Sequence, residues 1–262
     1  MRVVTNEAHI ARNRRISHIL FFVSLAGMAA GFFYTWTADP ATSTQISCFL
    51  LPALLFMTLI SVRMANTWIR EPRPERVIEE SLKSAGRRYT LFQHILPAPH
   101  VLIGPEGVFT VTPVWQEKQY RVSGKKWTGD RGLLARLTGY MRQDLLGNPF
   151  NEAQLHAQEM QKFVNKIAPD SEIEVQPLVV FTSQKVTLDI EDPIIPVLYA
   201  NPKKKPSLRD YLRDLKGQER PTLTEEQLDE IDRLYGLVTR QELEAAMGGA
   251  SLPPEEDVAD EE

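Results

Sequence analysis

Apolar side chains crowd into the first quarter of the chain and then break up into short runs. Residues 16–36 carry no formal charge, and residues 46–64 form a second apolar segment that is uncharged through Val62 and contains Pro52. A membrane helix needs about 20 apolar residues, so the first segment is long enough to span and the second lies near the lower limit. Proline is tolerated in such helices. Trp36 and Trp68 fall near the ends of the two segments, where amphipathic rings favour the bilayer interface. The pattern predicts a transmembrane hairpin, helices 16–36 and 46–64 joined by a connector at 37–45. A cleaved leader fits this pattern poorly. The region before the first run is long, the run exceeds an ordinary leader core, and a second span follows at once.

Beyond the hairpin the periodicity changes. A linker at 65–74 ends in Glu71-Pro72-Arg73-Pro74, which stops one helix and starts another. Residues 75–85 place Val77, Ile78 and Leu82 on one side of a short amphipathic helix ended by Gly86. Residues 89–96 read as a strand. Two β-branched runs, 101–103 and 108–111, flank Gly104-Pro105-Glu106-Gly107 and predict a hairpin. A further turn at Gln116-Glu117-Lys118 leads to a smaller hairpin, 120–122 with 126–127, so the stretch 97–127 reads as one meander needing helices on at least one face.

Residues 133–146 are compatible with a helix. Asn148-Pro149 is a capping side chain followed by proline at the first helical position, and opens a helix to about Ala168. Leu155, Phe163, Val164 and Ile167 form its expected inner face with Met160 at the border, while Gln154, Gln158 and Gln161 point outward. Residues 177–182 are a strand of the kind buried on both faces, with Val179 to Phe181 central in the sheet. Shorter strands at 186–190 and 196–199 are separated by the acidic 189–192. Helices follow at 207–215 and 225–234, the latter capped by Thr224.

Charge and cysteine content narrow the setting. Arg12, Arg14 and Arg15 precede the first span and Arg63, Arg70, Arg73 and Arg76 follow the second, whereas the connector has Asp39 and no basic residue. The positive-inside bias places both flanks in the cytoplasm. Cys48, the single cysteine, lies in the second span, so no intrachain disulfide forms. The net charge is -4, and residues 251–262 alone contribute six acids and no base, the composition of a disordered tail. The remainder is nearly neutral, which gives little pull toward nucleic acid. Lys125-Lys126 and the lysines at 203–205 have two explanations, phosphate contacts or turns beside an anionic bilayer. The chain has no P-loop, no Cys/His metal cluster, no Gly-x-Ser-x-Gly elbow and no internal repeat.

The stretch 100–111 with the Gly-x-x-Trp hairpin after it, Gly124 to Trp127, resembles the nuclease-related domain (NERD) family, a branch of the PD-(D/E)xK nucleases. The helix–strand opening at Glu75 and the long helix after Asn148-Pro149-Phe150 are similar to that family too. The resemblance covers residues 75–200. It implies an α/β (α+β) PD-(D/E)xK-like domain, a mixed sheet flanked by helices, preceded by the transmembrane hairpin. The chain then divides into a cytoplasmic flank 1–15, spans 16–36 and 46–64, connector 37–45, linker 65–74, the domain 75–200, a helical extension 201–250 and the acidic tail 251–262.

In that family two carboxylates hold a divalent ion and a lysine steadies the attacking group. Those positions fall here on Pro99, Thr112 and Val114, and none keeps its chemistry. Glu75 sits about where the family's first acidic residue falls. With Glu79 and Glu80 it also fits a solvated helix start favoured by the helix dipole. Gln116, Glu117 and Lys118 form a candidate displaced motif, although Glu117 and Lys118 alternate faces on a strand. Glu152 and Gln154 are candidates for the polar residue that many such nucleases place on the long helix, and His156 reads as a surface helix histidine. The expectation is a membrane-anchored protein with an inactive nuclease-related domain, acting in binding or scaffolding with the bilayer and a protein or nucleic-acid partner. It carries no cofactor; the alternative is a nuclease with a relocated motif using Mg2+.

Overall fold

A computed structural model describes the backbone of residues 1–37, 39–83, 86, 88–129, 148–218 and 220–236, and their side chains except those of 40–47. The expected helix at 133–146 and the acidic tail lie outside the described residues, and the helical extension is described only as far as 236. Two compact units divide the chain, Met1–Thr222 and a second beginning at Leu223.

In the first unit the chain opens with a strand that the hydrophobic pattern does not announce, β1 (Arg2–Thr5). Helices α1 (Glu7–Thr37) and α2 (Pro40–Trp68) follow, each extending past the predicted span at both ends. Asn6 starts α1, its Oδ1 accepting the His9 N–H at 2.9 Å. Both helices are long and apolar enough to cross a membrane, and their large side chains face outward: Trp36 is 77% and Phe49 82% exposed. A soluble core helix buries such residues. The helices approach closely where Gly27 faces Leu54 and Gly31 faces Leu50. A methyl group added at these glycines would lie 3.0 and 3.2 Å from the leucine side chains.

The sheet core follows the predicted order with adjusted ends. Helix α3 (Pro74–Leu82) starts with proline in its first turn and buries Ile78, Ser81 and Leu82. Strands β2 (Thr90–Gln93), β3 (His100–Gly104) and β4 (Gly107–Val114) are antiparallel neighbours. Gly104 pairs with Gly107 around Pro105-Glu106, so the β3–β4 hairpin closes where the sequence places it. β5 (Gln119–Gly124) and β6 (Lys126–Gly129) pair as expected but leave the main sheet. They form a separate three-stranded sheet with β8 (Thr187–Pro193), which incorporates the acidic run at 189–192 as strand. The meander is therefore split at Trp115 to Lys118, where no ladder bonds continue.

Helix α4 (Pro149–Ile167) begins as predicted, with Asn148 Oδ1 accepting the Phe150 N–H. Its inner face is rotated from the predicted one. Phe150, Ala153, Ala157, Met160 and Val164 are buried, whereas Leu155 is 53% exposed and Phe163 and Ile167 are half-buried. The alanines let the helix lie close on β4 and on β7 (Val175–Phe181), which excludes the larger leucine.

The main sheet has the order β1-β2-β3-β4-β7-β9, with β9 at Val197–Tyr199; the β1–β2, β4–β7 and β7–β9 pairs are parallel. α3 and α5 (Leu208–Asp214) cover one face and α4 the other. Along β7, Leu178 and Val180 enter the core under α3 and α5, while Val179 and Phe181 enter the core shared with Phe150 and the small sheet. This is the doubly buried strand the apolar run predicts. It lies one place in from the sheet edge, and β3 and β4 hold the centre. In the second unit, α6 (Glu225–Leu234) carries the expected cap, with Thr224 and Gln227 bonding each other's backbone.

Candidate metal centre

Four elements converge where α3 starts, β2 ends, β3 begins and the helical hairpin meets the sheet. Glu75 stands in the first turn of α3, where the helix dipole favours a carboxylate. It is buried, which corrects the solvated placement, and Gln93 Nε2 donates to its backbone carbonyl at 2.9 Å. His94 follows the last residue of β2 with φ +56°, in the left-handed region that non-glycine residues seldom occupy. Its N–H donates to the Pro99 carbonyl at 2.7 Å, closing the turn that returns the chain as β3. His100 opens β3 directly opposite Gln93 and is 2% exposed.

These placements bring three donor groups together. His94 Nε2 lies 2.9 Å from Glu75 Oε1, and the His94 and His100 rings meet edge to face with centroids 5.1 Å apart. One ligand-capable atom from each of Glu75, His94 and His100 lies within 4.8 Å of the other two. Glu75 Oε2 and His100 Nδ1 are buried without a hydrogen-bond partner. The His9 ring from α1 stacks on His94 at 5.8 Å, and Trp68 from the end of α2 lies 5.2 Å from the same ring. Trp68 thus packs on the site as well as ending the hairpin.

The electrostatics follow from burial. Desolvation, with His94 and His156 adding to it against the pull of Glu75, pushes the His100 imidazole down to about 3, so its ring is neutral and keeps a free lone pair. Burial alone would raise the Glu75 carboxyl. The His94 hydrogen bond, its own backbone N–H and the neighbouring histidines outweigh that and hold it below the ordinary range. His156 is half-buried on α4 and is lowered by desolvation against Glu152 and Glu159. Its Nδ1 lies 3.1 Å from the Thr112 hydroxyl, so it faces the sheet and is not the surface histidine expected.

All of this opens onto one cleft of about 790 Å3. Pro99, Val114, Gln116, Glu152 and His156 line it with Glu75, His94 and His100, and Arg63, Arg70 and Trp68 close it from the side of the helical hairpin. The arrangement therefore gathers most of the residues singled out from the sequence. Gln154 is exposed on α4 and is not among the lining residues. Neither are Glu117 and Lys118: Glu117 reaches Lys185 at 3.5 Å and Arg70 at 4.0 Å, and Lys118 faces solvent. Thr112 is fully buried beneath His156. Of the loop lysines, Lys204 donates to the Val186 carbonyl at 2.6 Å and lies over the Tyr199 ring, which gives it a structural part.

The two histidines are what sequence reasoning missed. No short spacing motif joins residues 75, 94 and 100, and a search for Cys/His clusters passes over them. A signal existed nonetheless. His94 and His100 flank a Pro-containing turn, Leu96-Pro97-Ala98-Pro99, between antiparallel strands, and the flanks of such a turn stand side by side. Comparison with protein-family models, with curated proteins and with solved structures finds no match for this chain.

Proposed function

We propose that this chain is a membrane-anchored protein whose nuclease-related-like α/β domain binds a partner and does not cleave nucleic acid. One observation carries the reading: the chemistry at the end of β4 and the start of β3. Thr112 is a buried hydroxyl engaged by His156, Val114 is an apolar wall and Pro99 a ring. A hydrated Mg2+ ion needs carboxylate oxygens, and phosphoryl transfer needs a cation near the charge that builds up. These three positions supply neither.

The mixed sheet, with α3 and α5 on one face and α4 on the other, is in keeping with a PD-(D/E)xK-like fold. The arginines that flank the two helices favour a cytoplasmic domain at the cell membrane. The partner in this reading is a protein or a nucleic acid. The alternative, a nuclease with a relocated motif at Gln116–Lys118, has Glu75 and Gln116 in the cleft but leaves Glu117 and Lys118 outside it.

Incubating the purified full chain with single- and double-stranded DNA and RNA in Mg2+ or Mn2+ tests the proposal. No cleavage above a metal-free control is expected. Metal-dependent cleavage that disappears in Glu117→Ala or Lys118→Ala would replace this reading with the alternative.

A further inference from the structure

We propose that Glu75, His94 and His100 form a binding site for one divalent transition-metal ion of the zinc class. The ion is held by two imidazole nitrogens and one carboxylate oxygen, with a coordination position open to the cleft.

Geometry comes first. The three donor atoms already lie within 4.8 Å of one another. Ligands 2.0–2.1 Å from a tetrahedral ion stand roughly 3.4 Å apart, so a small inward rotation of the side chains completes the set. In that rotation the ion takes the place of the proton shared by His94 Nε2 and Glu75 Oε1.

Polar satisfaction supplies the second, independent observation. Glu75 Oε2 and His100 Nδ1 are both buried and unpartnered, and a buried polar atom left without a partner destabilises the folded chain. A bound cation removes this cost for the carboxylate and offers the imidazole lone pair a partner. His94 adds a third observation. Its backbone lies in the left-handed region, and sparsely populated conformations of this kind collect at ligand clamps.

Donor chemistry selects the ion. Mg2+ and Ca2+ take oxygen ligands almost exclusively, whereas imidazole with one carboxylate suits zinc and its neighbours. Three protein ligands beside a cleft are also the pattern of zinc sites that keep an exchangeable position. Support from the surrounding groups is present: Gln93 holds the Glu75 backbone, and the His9 and Trp68 rings pack against His94. The site does not depend on the nuclease-like reading: Glu75 falls about where that family's first acidic residue sits, but His94 and His100 match none of the family's positions, and the three donors are brought together by the observed fold alone.

The test uses the full chain in detergent micelles, stripped with a chelator and titrated with Zn2+ against a chromogenic competitor in excess Mg2+. One zinc per chain is expected, together with a rise in melting temperature on loading. Glu75→Gln and His100→Ala should each weaken zinc binding roughly 100-fold or more, at or beyond the upper end of what loss of a supporting contact does. His156→Ala should keep one ion per chain with affinity within about tenfold, since its ring belongs to Thr112. Glu75→Gln is nearly isosteric, so its apo melting curve separates lost binding from lost folding. Absence of zinc uptake by the unaltered chain overturns the proposal. So does uptake that Glu75→Gln leaves unchanged, or uptake that His156→Ala abolishes equally.

Discussion

Gly104 shows how one side chain constrains another in this sheet. A methyl group at this position would lie 2.3 Å from Cδ1 of the Tyr89 ring, which is closer than atoms can approach. Tyr89 cannot easily move away, because its hydroxyl donates to buried Glu106 at 2.5 Å. Gly104→Ala should therefore destabilise the chain by about 1–3 kcal/mol, the usual range for overpacking, as read from chemical denaturation in detergent. The same tyrosine has a pH signature. Burial, the Glu106 hydrogen bond and the Glu106 charge raise its phenol well above the ordinary value of 10.0. The unfolded chain ionises first as pH rises, so the stability from this contact is complete below pH about 10 and is lost above it. Tyr89→Phe should flatten the alkaline end of a stability-against-pH curve. A curve unchanged by that substitution would show that the phenol does not set it.

Helix α4 and strand β7 show how far a pattern of apolar positions can be read. The start of α4 was legible because capping is local: Asn148 and Pro149 act on their own first turn. Its inner face was not, because Leu155 is more apolar than Ala153 or Ala157 and yet the sheet approaches the alanines. Which face packs depends on how near the partner comes, and that is a tertiary property. The site divides in the same way. Glu75 stands out as an acid beside a helix start, but its two histidine neighbours join it only through the β2–β3 turn. Strand β1 escaped notice because four residues paired to a distant strand leave no periodic signal. For β7, whose residues alternate between two cores, Phe181→Ala should cost about 3–5 kcal/mol in the same denaturation assay. A loss below about 1 kcal/mol would mean that Phe181 does not carry that core. In the helical hairpin, the Gly27 contact is with the end of a flexible leucine, so Gly27→Ala should be tolerated. Gly27→Leu should force the helices apart and lower the melting temperature of the detergent-solubilised chain.

Taken as a whole, the molecule couples an apolar helical pair to a sheet domain through the cleft. Arginines cluster at the two helix ends nearest that domain, and the connector has none. In a Cys48→Ala background, a cysteine introduced at Ser43 should react with an impermeant reagent on intact cells. One introduced at exposed Lys118 should react only after permeabilisation. Labelling of the second site from outside would reverse the orientation, because it contradicts the arginine bias.

A separate constraint on that arrangement comes from β1. Residues Arg2 to Thr5 are hydrogen-bonded in register to Thr90 to Gln93, and both long helices lie between the two strands. Paired strands must share one side of a membrane, so the chain between them can cross only an even number of times. The parity holds whatever the charges do. Adding arginines to the connector could invert the whole assembly, but it cannot leave one helix inserted and the other outside without stripping an edge strand from the sheet. Cutting away the first helix as a leader would have the same effect, since β1 would leave with it. The same pairing bears on synthesis: residues 2–5 are made before both helices and their partner strand only after them, so the β1–β2 ladder cannot close until the whole helical hairpin has been translated.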